Sequence, residues 1–389
     1  MKVLHVITGA NVGGAETMLA RLLDHQKRVP GIEAEVATLM PPGFVGRRMA
    51  ASGVSVRSLG MRSVLSAVPA FLRLVAMIRR ERPDIVIAWM HHAQIAATCA
   101  VWLARTRTPV IWNVRHSLGG FTEEKWLTRL VLRVQARISK MPAAIIYNSH
   151  AAAAQYRAHG FASKRQEVIP NGIDMPTPQA SVTARRLFTI SPDVALIGMI
   201  ARAHPMKDVA NLLSAFQRIC AAGMPAHLLL VGEGMDRPAD DHVQALAALP
   251  KGSWTLSGHR ADVGEWLGGL DILVLPSAWG EGFPNIVGEA MARSVPCVGT
   301  NVGDMEWIIG ATGRTVPPRN PAALAAALTE LLTMPAAERK ALGAAAQERI
   351  RTNFALADIA SRYAALCREI VNLPVDLAHP YRAERSEAA

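Results

Sequence analysis

The chain has 389 residues, half of them hydrophobic but only 5% aromatic and 19% charged, with 42 lysines and arginines against 31 aspartates and glutamates. That length suits two domains, each able to bury its own core, and excludes a small scaffold held together by disulfides. A net charge of +11 calls for an anionic partner, yet so few aromatics speak against nucleic acid, where cations interleave with stacking rings.

The charge is unevenly spread. Residues 1–170 hold 23 basic and 9 acidic side chains, a net of +14, and the remainder holds 19 and 22, a net of −3. The basicity belongs to the first half. Four cysteines, Cys99, Cys220, Cys297 and Cys367, stand far apart with no CxxC or Cys/His ligand spacing. They read as buried free thiols in a reducing compartment, with no structural zinc.

At the N-terminus, MKVLHVITG turns polar and glycine-rich too soon for a signal peptide and reads as a first strand. The longest apolar stretch, Ile85 to Ala104, contains His91, His92 and Gln94, so it reads as a strand ending in a polar loop. A soluble, cytoplasmic protein with no membrane-spanning helix is expected.

Apolar runs alternate with helical patterns throughout: KVLHVIT, AEVATL, VSVRSL, DIVIAWM, PVIWNV, AAIIYN and EVIP, then VALIGMI, HLLLVG, SWTLSG, DILVLP and VPCVGT. Such alternation predicts parallel sheets covered on both faces, a doubly wound α/β architecture. Ile169 to Ala180 carries Asn-Gly and three prolines, which breaks both periodicities. The expected organisation is a Rossmann-like domain over 1–170, a linker over 171–180, and a second Rossmann-like domain over 181–355. A helix over 356–379 then crosses back toward the first domain, followed by a frayed tail over 380–389. Two such domains enclose a cleft, with ligands outside the carboxyl ends of the strands.

Four segments at strand ends carry candidate chemistry. Gly9 to Glu16 is a glycine-rich turn before a helix; it permits close backbone approach but lacks the GxGxxG spacing of a dinucleotide fingerprint. Arg202 to Asp208 follows the first strand of the second domain and sets an arginine fork and a lysine beside a helix start, which suits a diphosphate or leaves two surface cations. Ser277 to Met291 places Glu281 on a glycine-rich loop and Glu289 on the helix after it. Trp112 to Ser117 puts His116 at a strand end, where imidazole could act on a sugar hydroxyl or leaving group, or be a merely satisfied polar residue. No D-x-D pair, GxSxG, Walker or HExxH motif is present, which removes the hydrolase, NTPase and metalloprotease readings.

Taken in order, GGAE (13–16), RHS (115–117), IPNGID (169–174), RAHPMKD (202–208), VGEG (231–234), SGHRADV (257–263) and EGFPNIVGEAMA (281–292) resemble the retaining GT-B glycosyltransferases of the GT4 class, of the bacterial polysaccharide and lipid-linked glycan type. The resemblance spans nearly the whole chain and implies two Rossmann-like domains with an interdomain cleft. By the same resemblance, Arg202 and Lys207 bind the donor diphosphate in place of a metal, and Glu281 orients the donor sugar. The Gly282, Phe283, Pro284 and Asn285 backbone contacts sugar and phosphate, and Glu289 the ribose. Gly258, His259 and Arg260 meet the base, Gly13 and Gly14 approach the donor phosphates, and His116 lies near the reacting sugar. The donor is a UDP- or GDP-sugar with no further cofactor; the acceptor is a polyprenyl-diphosphate-linked or other glycan in exopolysaccharide or lipopolysaccharide synthesis.

Two stretches of the first half are cationic. One carries Arg62, Arg73, Arg79, Arg80 and Arg82 beside Leu72, Val75 and Ile78. In the other, Arg129, Arg133, Arg137 and Lys140 form one stripe and Trp126, Leu130, Val134 and Ile138 another. These are amphipathic basic helices, either simply solvated or attracted to anionic lipid at the inner face of the cell membrane. The alternatives are a catalytically silent scaffold, and a glycogen-synthase-like transferase or sugar-nucleotide epimerase acting on soluble substrates.

Overall fold

The computed structural model describes residues 1–11, 13–118, 126–176 and 184–372. It divides into two compact units, the first made of Met1–Gly172 and the segment from Leu356 onward, the second of Ile173–Ala355.

In the first unit the strands are β1 (Lys2–Ile7), β2 (Glu33–Thr38), β3 (Ser55–Ser58), β4 (Ile85–Trp89), β5 (Val110–Val114), β6 (Ala144–Tyr147) and β7 (Gln166–Val168). They form one sheet in the order β3-β2-β1-β4-β5-β6-β7, every pair parallel. Its helices are α1 (Gly14–Gln26), α2 (Gly43–Ala51), α3 (Ala67–Glu81), α4 (His91–Ala104), α5 (Trp126–Ile138) and α6 (His150–Ala158). β4 and β5 are buried along their whole length. That is why they read as unbroken apolar runs: a parallel sheet is covered on both faces.

The second unit opens with α7 (Ala184–Leu187) and carries β8 (Ala195–Ile200), α8 (Val209–Ala221), β9 (Ala226–Val231), α9 (Asp240–Ala247) and β10 (Trp254–Ser257). Next come α10 (Val263–Trp266), β11 (Ile272–Leu275), α11 (Asn285–Met291), β12 (Cys297–Thr300), α12 (Met305–Ile309) and β13 (Arg314–Val316), then α13 (Pro321–Thr333) and α14 (Ala336–Asn353). The strands lie in the order β10-β9-β8-β11-β12-β13, again all parallel. The last helix, α15 (Leu356–Asn372), belongs to the first unit. Its Ile359, Tyr363 and Leu366 pack with α1 and the faces of β1 and β4, and Glu369 pairs with Arg165 at 2.6 Å.

Several expectations change in detail. β13, three residues long, was not among the apolar runs. The segment at His91 is not a loop: α4 begins at His91, directly after Met90 turns the chain at φ 69°. Asn171 and Ile173, expected in the linker, are buried, and Ile173 donates its N–H to Phe354 O at 2.8 Å. Residues 177–180 of that linker, 373–379 of the last helix and the 380–389 tail lie outside the described residues. Of the cysteines only Cys297 and Cys367 are buried, and Cys99 is exposed on α4. No described helix is long and apolar enough to cross a membrane.

The cationic helices differ most from a simple amphipathic picture. On α5 the side chains that face inward are Leu132 and Gln135, while Trp126, Leu127, Leu130 and Val134 are exposed together with Arg133, Arg137 and Lys140. Gln135 is buried because it closes a polar chain, bonding Gln94 Oε1 at 2.6 Å and facing His91 Nδ1 at 2.8 Å. Val68 and Leu72 on α3 and Trp102 and Leu103 on α4 are exposed as well.

Candidate active site

In the second unit the loops after β8, β9 and β11 lean on one another at the strand ends. Gly232, at φ 149°, lets the loop after β9 lie against Ala201, whose carbonyl a Cβ there would meet at 1.9 Å. Ala203 N–H donates to Glu233 O at 2.7 Å. In the loop after β8, His204 Nδ1 accepts Met206 N–H at 3.2 Å and so shapes the tight turn Pro205–Lys207. Asp208 takes a left-handed conformation and caps α8. Ala278 N–H donates to Met206 O at 2.8 Å, which ties the loop after β11 to the same turn.

That contact brings Lys207 and Glu281, 74 positions apart, into a direct ion pair. Both are largely buried, with side-chain exposures of 14% and 8%. Ser277 Oγ donates to the same Glu281 oxygen at 2.5 Å, and Thr300 Oγ1 in turn holds Ser277 O. Gly303, at φ 64°, fits against Glu281 O, which a Cβ would meet at 2.2 Å, and Asp304 N–H donates to Gly282 O at 3.2 Å. Besides Lys207, Glu281 is thus held by Ser277, itself braced by Thr300, and by the close approach of Gly303.

Arg202 differs from its neighbour. It is exposed and makes no ion pair or side-chain hydrogen bond among the described residues. Burial, then the charges of Arg202 and Lys207, hold His204 below the usual imidazole range, so the turn is a cationic spot carrying a neutral histidine. Phe283 points into the core, edge-on to Phe354 at 5.3 Å, which leaves the backbone of Gly282–Asn285 as the part of that loop available to a ligand. Glu289 sits half-buried on α11. Gly258 packs against the Asp236 carboxylate, His259 is exposed, and Arg260 is held by Asp262 through two bonds of 2.8 and 2.5 Å. The Arg260 guanidinium also lies over the Phe188 ring. Its side chain is thus committed within the loop.

The remaining sequence-derived candidates belong to the first unit. Gly13 precedes α1, and the carboxylate of Glu16 folds back over it, where a Cβ would meet Oε2 at 2.3 Å. Burial pushes Glu16 above the usual carboxylate range. Gly14 is the first residue of α1. His116, half-buried, stands edge-on to His91 with ring centroids 6.5 Å apart. His91 accepts or donates on both sides, to Gln135 and, at 3.2 Å, to Tyr156; burial, then the neighbouring His116, lowers it to about 4. His116 therefore has an uncharged neighbour at neutral pH. Ser117 Oγ and Leu118 N–H both donate to Gln155 Oε1, at 2.8 and 2.9 Å, and anchor the chain just beyond it.

Arg115, one residue earlier, carries a role that sequence alone gave no signal for. It is buried, and burial lowers its pKa. Its guanidinium donates to Tyr363 OH at 3.0 Å and to Asn171 Oδ1 and lies 5.5 Å from the Trp89 ring centroid. It thereby joins the end of β5 to α15. Among the described residues no group of three or more His, Cys, Asp or Glu is placed to hold a metal ion.

A sequence model described as Glycosyltransferase Family 4 matches residues 12–175, and one described as Glycosyl transferases group 1 matches residues 192–334. EpsF of Bacillus subtilis, named for glycosyltransferase activity, is 26% identical over 312 residues, 76% of this chain and 78% of its own. The capsular polysaccharide biosynthesis glycosyltransferase CapM of Staphylococcus aureus is 24% identical, covering 75% and 78%. Among solved structures, Anabaena HepE in complex with UDP superposes with a TM-score of 0.81 at 20% identity, over 95% of this chain and all of that one.

Proposed function

Since the chain belongs to the group 1, family 4 glycosyltransferases and has their two-domain GT-B fold, we propose that it moves a hexosyl group from a UDP- or GDP-sugar to a lipid-linked saccharide, with the α configuration retained and without a metal, in surface polysaccharide synthesis. The observation that carries the donor half of this reading is the unpaired, exposed Arg202 beside the Lys207–Glu281 pair. A donor diphosphate would meet Arg202 directly and compete with Glu281 for Lys207. Glu281, released toward the sugar hydroxyls, would orient the hexose while the two cations take up the charge of the leaving phosphate. HepE, which binds UDP in its crystals, supports a nucleotide sugar as donor.

For the chemical step, same-face attack fits the residues present. The acceptor hydroxyl bonds to the anomeric carbon as the bond to the nucleotide phosphate breaks, and that phosphate oxygen takes the acceptor's proton. Positive charge held by Arg202 and Lys207 favours the departing nucleotide. Gly13, Gly14 and His116 would serve from the first unit, whose cationic helices α3 and α5 would hold it at the inner face of an anionic membrane, where a polyprenyl-diphosphate-linked acceptor resides. CapM, named for capsular polysaccharide biosynthesis, supports a place in surface polysaccharide synthesis.

The test is release of nucleotide from a panel of UDP- and GDP-sugars with and without chelator, followed by transfer to lipid-linked acceptor. Turnover of one donor, unaffected by chelator and with an α-linked product, is expected. No turnover of any donor, or an inverted product, would sink the proposal.

A further inference from the structure

Four arginines meet at the amino-terminal ends of the central strands β4 and β5, opposite the candidate catalytic loops of the first unit. Arg79 and Arg82 end α3, Arg105 and Arg107 follow α4, and with Asp84 and Thr106 they line an open pocket of about 690 Å³. β4 and β5 start here and are five residues long, so the loops bearing His91 and His116 lie about 15 Å away. This pocket is separate from the site described above.

Its charge is not cancelled locally. Glu81 is occupied by Lys2, Arg57 and Arg80, and Asp84 accepts the backbone N–H of Lys2 at 2.6 Å. Arg79, Arg82 and Arg105 make no ion pair or side-chain hydrogen bond among the described residues. The carboxyl ends of α3 and α4 together supply about one negative charge, and Asp84 faces the N-terminal ammonium at 4.0 Å. The guanidinium groups of Arg79, Arg82 and Arg105 therefore leave about two positive charges uncompensated, the charge of one phosphate dianion.

Backbone geometry adds a second, independent observation. Arg82 and Arg105 are both left-handed, at φ 43° and 55°, a conformation that glycine adopts freely and that strains a side chain. Their N–H groups already bond Ile78 O and Trp102 O, so the helix ends are closed by backbone alone. Glycine would cap both ends better than arginine; what arginine adds is a guanidinium at the same pocket, twice. Thr106, which also lines the pocket, has its Oγ1 buried without a hydrogen-bond partner. Trp102 and Leu103, 63% and 42% exposed, immediately precede the lining residues Ala104 and Arg105 in the chain.

We propose that this arginine pocket binds the phosphate group of an anionic ligand, from a phospholipid headgroup or from free phosphate. The test uses the full chain and the double variant Arg82→Gly/Arg105→Gly, which removes two cations while relaxing both backbones and so should melt no lower than the parent. One arm sediments both proteins with phosphatidylcholine vesicles carrying phosphatidic acid or, at equal surface charge, phosphatidylserine. The other compares melting in inorganic phosphate and in chloride at matched ionic strength.

The parent is expected to prefer phosphatidic acid and to melt higher in phosphate. In the variant, vesicle affinity should fall roughly tenfold or more, and the phosphate shift should shrink. Loss in the vesicle arm assigns the headgroup; loss of the phosphate shift alone assigns free phosphate. If the variant matches the parent in both arms, the arginines only cap helices and the proposal is overturned. Should the glycine pair melt lower than the parent, Arg79→Gln/Thr106→Val, which alters neither strained backbone, replaces it under the same readings.

Discussion

The two units share an architecture and differ in almost everything a partner would feel. Both are parallel sheets wrapped by helices, yet the first half of the chain carries a net +14 and the rest −3. Large apolar side chains are exposed on α3, α4 and α5, whereas the second unit exposes only Val243 and Trp307 among its described residues. The histidines lowered most also lie in the first unit: His5 and His91 are each brought to about 4 by burial. The second unit keeps its charge in a small paired constellation at the strand ends. One scaffold thus serves two tasks, a broad cationic and apolar surface in one unit and a few placed charges in the other.

The sharpest way to break that contrast is to ask whether the placed charges act singly. Arg202→Ala removes a cation that nothing in the fold uses, so turnover should drop roughly 10²–10³-fold with no change in melting temperature. Lys207→Ala should lower turnover as much but also destabilise the unit by about 3 kcal/mol, because Glu281 stays buried without its partner. Adding Glu281→Gln should restore melting and leave turnover low. Equal melting for the two single variants would mean that the Lys207–Glu281 pair contributes nothing to the fold.

Acid should separate the units next. His5 and His91 bind protons in the unfolded chain below about pH 6.5 and in the folded one only near 4. The unfolded state therefore holds more protons across that window, and stability is lost as pH falls from 6.5 to 4, by about 2–3 kcal/mol for each ring at the acid end. His91 faces His116 and His92 as well as neutral Gln135 and Tyr156; His5 accepts Trp89 Nε1–H at 3.1 Å. In the second unit only His227 and His204 are lowered, and His204 is exposed. Hydrogen exchange at pH 5 should open peptides of the first unit first. The reverse order would refute the assignment.

Much of this was legible in the sequence, and what was not has common causes. Twelve strands announced themselves as apolar runs because both sheet faces are covered, while the three residues of β13, Arg314–Val316, are too few and too polar to do so. His91 and Gln94 read as loop because nothing local says that a polar pair starts a buried helix; their partners, Gln135 and Asn113, come from other elements. The candidate cations and Glu281 could be named from motifs. Their pairing, and the support from Ser277, Thr300 and Gly303, depends on loops that only the fold brings together. Arg115 finds Tyr363 nearly 250 residues away, beyond any periodicity.

The smallest effects test which face of α5 does what. Leu132 is inward and Trp126, Leu130 and Val134 are outward, although the sequence shows them on one amphipathic helix. Leu132→Ala should cost about 2–4 kcal/mol of stability and leave vesicle binding per folded molecule unchanged. Trp126→Ala/Leu130→Ala should change stability by less than about 0.5 kcal/mol, since neither ring nor chain fills a cavity. If the outward face meets lipid, the same pair should weaken sedimentation with anionic vesicles several-fold, and added salt should weaken it further by screening Arg133 and Arg137. Salt sensitivity without any effect of the apolar pair would reduce the surface to electrostatics alone. An effect of the pair that persists in high salt would instead show that burial of Trp126 and Leu130 in the bilayer boundary, not the net +14, is what holds the first unit there.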